Sequence, residues 1–309
     1  MVSYLKMTNF DPFGRTNQSP FGFSFWSWQG NQISFSQSQL IYWIVIMITI
    51  TIIILMWAIC KPLQFSRSFS LTISHQIVGA ILITLTIFRI VLLATGNYPH
   101  LWELIPLHFC RLMIVLIGLS LITKQKQFFK YLLVFTIIGA WFGIIFTDLN
   151  NSDYWQAKGG VAIGYDNYFF WDFLIIHCLA LIISSYFLNT YRLDFTKRGL
   201  LISTSCLTIL TILIFFANWA TASLSNKRWN ANWFYLAPNQ NNSVILILKP
   251  LIGNLASWPW LLLVFLVLGY ALVAITYVLY FAFDYLIINQ WRLVFNRNPQ
   301  WHHFKTTHW

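Results

Sequence analysis

Charge is what this chain has least of. Only 9% of its 309 residues are Asp, Glu, Lys or Arg, whereas soluble domains carry about a quarter, so an ordinary soluble fold is excluded. Acid is the scarcer sign, with eight carboxylates against nineteen Lys and Arg and a net charge of +11. In a soluble chain that excess would suggest nucleic acid. Here the basic residues sit in short connections between apolar runs, which suits anionic lipid at a cytoplasmic face and excludes a nucleic-acid partner. Cysteine is sparse too: Cys60, Cys110, Cys178 and Cys206 all fall inside apolar segments, without CxxC spacing. That pattern indicates neither a disulfide framework nor a zinc site, and no metal or cofactor is expected. Residues 1–39 lack the basic, apolar and small-residue regions of a cleaved signal, so the first span is expected to act as an uncleaved anchor. There is no internal repeat, no inverted pair of broken helices, no linker for a second domain and no evident protein partner.

What the chain has is apolar length. It is 58% hydrophobic and 19% aromatic, with a mean hydropathy of +0.64. Seven runs read as spans, at 40–60, 71–95, 101–123, 128–147, 168–188, 199–217 and 258–283. Each approaches the ~20 residues that a ~30 Å hydrocarbon core requires. The expected fold is all-α: a polytopic seven-helix transmembrane bundle in a cell membrane, over residues 40–283. Before it lies a polar and aromatic segment, 1–39, in which Phe21–Trp28 reads either as interfacial or as an ordered aromatic lid. After it comes a basic tail, 284–309, with His302, His303 and His308. Eleven basic residues fall on one side of this topology, six on the other, and Arg89 and Arg111 lie within spans. The positive-inside rule then sets the N-terminus outside and the C-terminus in the cytoplasm.

Ionisable side chains inside such spans are costly and mark function. The third span opens with Leu104-Ile105-Pro106-Leu107-His108-Phe109-Cys110-Arg111. With Pro106 tolerated in the first turn, a regular helix is expected from about residue 105. Its 100° step then puts His108 and Arg111 on one face and Cys110 on another. By depth, Arg89, His108, Cys110, Arg111, Asp172 and His177 cluster in the outer half of the bundle. A thiolate nucleophile needs a neighbouring base, and His177 from a facing helix suits Cys110 better than His108 does. Asp172 reads as a partner for Arg89 or Arg111. The plainer account is that these groups form a structural ion-pair network, with Cys110 packing as a small hydrophobe.

The Leu104–Cys110 segment is similar to the L-P-L-H-L-C signature of the YwaF-like bacterial membrane proteins. Phe88-Arg89, Thr147-Asp148-Leu149, Phe169-Phe170 with His177, Asn232-Trp233-Phe234-Tyr235-Leu236, Lys249-Pro250 and Trp258-Pro259-Trp260 follow in the same order. Departures stand at Asn254 and Ser257. YwaF-like proteins are grouped with the transmembrane-protein-164 family, whose members resemble phospholipid acyltransferases with a membrane-embedded cysteine. More distantly they resemble the androgen-induced-1 hydrolases. The resemblance implies that Cys110 is the nucleophile and His177 the general base.

The function expected is therefore acyl transfer between phospholipid and lysophospholipid through a Cys110 thioester. Arg111, Arg89, Lys227 and Arg228 are candidates for lipid phosphate, and Asn218 or a backbone amide for the oxyanion. A lipase with the same Cys–His pair, or a non-enzymatic lipid-binding or transport protein, are the alternatives.

Overall fold

The computed structural model describes residues 23–26, 33–60, 72–95, 100–147, 149, 163–191, 193, 195–224, 229–238, 243–289, 292–295, 304 and 306. Eight α-helices lie within them: α1 Phe35–Cys60, α2 Ile73–Thr95, α3 Phe109–Ile122, α4 Lys126–Ile145, α5 Tyr168–Thr190, α6 Lys197–Ala222, α7 Ser243–Ile252 and α8 Leu261–Tyr285. Seven stretches among the described residues are long and apolar enough to cross a membrane. They are α1, α2, α4, α5, α6, α8, and α3 together with the 3-10 turn Leu101–Leu104 before it. The molecule is thus an all-α seven-helix membrane bundle. At ten residues, α7 is too short to span. A small antiparallel hairpin of β1 (Leu286–Asn289) and β2 (Arg292–Phe295) follows α8, where only a tail was expected.

Helix starts follow their caps. The Asn167 side chain accepts from Phe169 N at 2.7 Å to open α5, and Thr196 Oγ1 accepts from Gly199 N at 3.0 Å to open α6. The third span departs from expectation. Ile105 is extended (φ −91°, ψ 117°) and His108, the residue before the helix, is non-helical (φ −57°, ψ 136°). A residue preceding proline is pushed out of the α region, and proline itself brings no N–H. Pro106 therefore breaks the span, and the helix begins at Phe109 rather than near residue 105. The expectation of unbroken helices is corrected with it.

Successive spans run antiparallel, which gives the bundle two ends. At one, Tyr42 Oη donates to Ile144 O at 2.9 Å, and Tyr165 N donates to Ser38 Oγ at 3.0 Å. At the other, Gln76 Nε2 donates to Ile122 O at 2.8 Å and the His75 ring packs on Phe187, 5.1 Å between centroids. Helix α5 sits centrally and touches α1, α3 and α4. Helices α2 and α3 meet through Gly79 and Gly118: a Cβ on Gly79 would lie 2.6 Å from Gly118 O. Small residues allow such approach where lipid gives no hydrophobic drive. Helices α6 and α8 pair with each other, and α8 leans on α4. The space between this pair and the other five spans holds the site.

Of the N-terminal aromatic stretch, Phe23–Trp26 form a 3-10 turn. Trp26 packs on Tyr168 and Phe88 at 5.4 and 5.7 Å between centroids. The remainder of that stretch lies outside the described residues, as do Asp148, Lys227, Arg228, His302, His303 and His308.

Candidate functional site

A cavity of about 250 Å³ opens between α3, α4, α5, α6 and α8. Its deeper walls are apolar, from Phe135, Ile138, Leu207, Phe265, Leu268 and Leu272, and its polar residues gather at the end of the bundle where α3 and α5 begin. Arg89, His108, Cys110, Arg111, Asp172 and His177 all line it. Beyond the break at Pro106, His108 and Cys110 both line the cavity, His108 against the Trp102 and Tyr235 rings and Cys110 against α4. The angular separation derived for a regular helix does not apply, because His108 lies outside the helix and Cys110 is its second residue.

Cys110 and His177 are set against one face of α4. The Cys110 thiol donates to Gly139 O at 3.0 Å, and a Cβ on Gly139 would lie 3.4 Å from its sulfur. A Cβ on Gly143 would lie 2.2 Å from His177 Nε2. The two glycines are one turn, about 6 Å, apart along the helix: the Phe109 ring fills the space over Gly139, 2.5 Å from such a Cβ, with the thiol at its edge, and the imidazole fills the space over Gly143. The two groups are not hydrogen-bonded to each other. His177 Nδ1 lies 2.6 Å from Phe173 O. A carbonyl only accepts, so Nδ1 carries the proton, and in the neutral ring Nε2 is left with a free lone pair. The imidazole is only 6% exposed and lines the cavity: it is a base held in one tautomer.

The charged residues are organised differently. Arg89 Nη2 donates to Glu103 Oε2 at 2.8 Å, and its Nη1 to Glu103 O at 3.1 Å. Arg89 Nε lies 3.2 Å from Asp172 Oδ2, and Arg111 Nη2 donates to the same oxygen. Tyr168 Oη donates to Asp172 Oδ1 at 3.4 Å. Two guanidiniums thus meet two carboxylates in a charge-balanced cluster, around an Asp172 side chain 4% exposed. Asp172 serves both arginines rather than one. Balance at this depth is what the cost of burying ions demands. Both arginines hold protein carboxylates, so neither stands as an uncompensated cation ready for phosphate.

Asn218 is corrected in its role. Its Nδ2 donates to Trp233 O at 2.7 Å while its Oδ1 accepts from Trp233 N at 3.0 Å. It is fully buried, at 0% exposure, and does not line the cavity, so its amide is not available to an oxyanion. What it does is hold a tight turn. Phe234 and Tyr235 both adopt φ 58°, a left-handed conformation costing bulky residues of order 1–3 kcal/mol each. Asn232 Oδ1 accepts from Ala237 N at 3.2 Å on the far side. The turn delivers Phe234 and Tyr235 into the cavity wall, where Tyr235 faces the His108 ring at 5.9 Å between centroids.

Sequence reasoning missed Glu103, Gly139 and Gly143, and named Tyr235 only as part of the Asn232–Leu236 motif. Glu103 had a signal: two intramembrane arginines faced one assigned carboxylate, and Glu103 is the acid nearest in sequence to His108. The glycines had none, since their meaning lies in what packs on them.

No curated protein and no solved structure matches this chain. A family model described as the TMEM164 family matches residues 34–277, from the first residues before α1 into α8 and across every cavity-lining residue. By that match the chain belongs to the TMEM164 family.

Proposed function

We propose that the protein is a membrane-embedded acyltransferase that moves a fatty acyl chain between phospholipid and lysophospholipid through a thioester on Cys110. The observation that carries this reading is the shared α4 face: a thiol bonded to Gly139 O and a tautomer-fixed imidazole against Gly143, one turn further along α4, in one cavity with apolar walls below and polar groups above. The YwaF-like and androgen-induced-1 resemblances point the same way. With the N-terminus outside, the cavity lies in the outer half of the membrane.

In the first half-reaction, His177 Nε2 takes the Cys110 proton as the substrate draws thiol and imidazole together, and the sulfur bonds to the carbonyl carbon of the donor ester. The carbonyl electrons move to oxygen. As they return, the carbon–oxygen bond breaks, and the departing lysophospholipid oxygen takes the proton from the imidazolium. In the second half-reaction, the acceptor hydroxyl gives its proton to His177 and attacks the thioester. The sulfur leaves and recovers that proton. Donor and acceptor use one site in turn, with their chains along the apolar walls.

The test is purified protein in vesicles with a defined phospholipid and a labelled lysophospholipid, beside Cys110→Ser and His177→Ala. Transfer is expected from the wild type alone, with each variant down by about 10⁴-fold. Absence of both transfer and hydrolysis in the wild type, or activity indifferent to both changes, would overturn the reading. Release of free fatty acid without transfer would make the same pair a lipase. The discontinuous third span favours one competing reading, since transporters also build midmembrane sites on broken helices. Lipid movement across the vesicle that survives Cys110→Ser would establish it.

A further inference from the structure

With Asn218 fixed to Trp233, the cavity needs another donor for the oxygen on which negative charge develops during acyl transfer. Threonines inside apolar helices ordinarily direct the hydroxyl back to the carbonyl four residues earlier. On α6, Thr204 Oγ1 donates to Leu200 O at 3.0 Å and Thr208 Oγ1 to Thr204 O at 2.8 Å. Thr211, one turn further along the same helix, does not follow them. Its side chain is 4% exposed and lines the cavity, and among the described residues its hydroxyl has no hydrogen-bond partner. A hydroxyl that faces a cavity with no protein partner keeps both its donor and its acceptor capacity for a ligand that completes it.

Its height in the bundle matches the nucleophile. Phe109, adjacent to Cys110, and Leu210, adjacent to Thr211, pack against the same cluster of Ile214, Phe215 and Phe234. Thr211 and the first residues of α3, Phe109, Cys110 and Arg111, line the same cavity. There the amides of the first turn have no intrahelical acceptor, and His108 makes no side-chain cap. We infer that the Thr211 hydroxyl donates to the ester or thioester carbonyl oxygen of the bound acyl chain, and that it and the first amides of α3 form the oxyanion site. This inference rests on the acyl-transfer reading. The hydroxyl keeps its proton throughout: it donates to the neutral carbonyl on binding and more strongly to the oxyanion when sulfur adds, so its effect falls on kcat.

The experiment compares wild type, Thr211→Val, Thr211→Ser and Cys110→Ser in the vesicle assay, with kcat and KM for the donor phospholipid and melting temperature in detergent. Valine keeps the shape and removes the hydroxyl; serine keeps the hydroxyl and removes a methyl. The expected result is a fall in kcat of about 10²-fold for Thr211→Val at nearly constant KM, with Thr211→Ser within about tenfold of wild type. The valine variant should melt no lower than wild type, since no protein hydrogen bond is lost. Should it fail to fold, Thr211→Ala read against Thr211→Ser serves in its place. If Thr211→Val keeps wild-type kcat while Cys110→Ser is inactive, the inference fails and the acyl-transfer reading stands. Equal losses in valine and serine variants would likewise overturn it, by assigning the effect to packing. A wild type as inactive as Cys110→Ser would remove the acyl-transfer reading and the inference with it.

Discussion

Two polar regions share one cavity and are built on opposite terms. The Arg89–Glu103–Asp172–Arg111 cluster carries four formal charges, and each is matched by an opposite charge on the protein. The Cys110, His177 and Thr211 group carries no formal charge in its resting form and leaves donors and acceptors open to the cavity. Buried charge within apolar surroundings is tolerated only when matched, so the charged region is neutral within itself, with Arg111 Nη1 a donor left without a hydrogen-bond partner among the described residues. Neutral hydrogen-bonding groups can be left incomplete at a few kcal/mol, and incompleteness is what a substrate uses.

The contrast can be broken from the charged side first. Asp172→Asn leaves two guanidiniums with one carboxylate, and a loss of about 3–5 kcal/mol is expected, read as a fall in melting temperature of the detergent-solubilised protein. Pairing it with Arg111→Gln, which restores neutrality, should recover part of that loss. A single Asn variant as stable as wild type would mean that the cluster is not structural. On the neutral side, Gly143→Ala sets a methyl carbon 2.2 Å from His177 Nε2. Displacing the imidazole by about 1 Å is expected to lower acyl transfer by about 10²-fold, with a smaller effect on melting. Full activity in that variant would show that His177 does not work from this position. The smallest effect belongs to the far end, where Gln76→Ala removes the donor to Ile122 O. About 1 kcal/mol of stability is expected to go, with transfer per folded molecule unchanged.

Much of this was legible before the structure. Seven apolar runs of membrane-spanning length leave few folds to consider, and strict antiparallel alternation fixes depth well enough to gather Arg89, His108, Cys110, Arg111, Asp172 and His177 at one end. Angle was less legible than depth. The rotation assigned to Cys110 assumed a helix through Pro106, and one proline tolerated on average can still break a span whose preceding residue goes extended. Asn218 was chosen for its amide, but composition does not reveal that Trp233 occupies both ends of it. The bare face of α4 and the unbonded hydroxyl of Thr211 are relations between helices, and a sequence records only their members. Helix α7 escaped because ten apolar residues look the same whether they lie along a surface or belong to a longer connection.

The break at Pro106 also changes where the membrane's edge effectively lies. Fourteen helical residues rise about 21 Å, roughly 9 Å less than a typical hydrocarbon core. The remaining depth is taken up by 3-10 and extended backbone from Leu101 to His108, whose peptide groups lipid tails cannot satisfy. The fold thus sets non-helical peptide groups at the start of its third span, beside the cavity. On the acyl-transfer proposal, an ester drawn into it would keep polar company while its chain remained in oil, and the thiol would not have to rise to the interface to meet it.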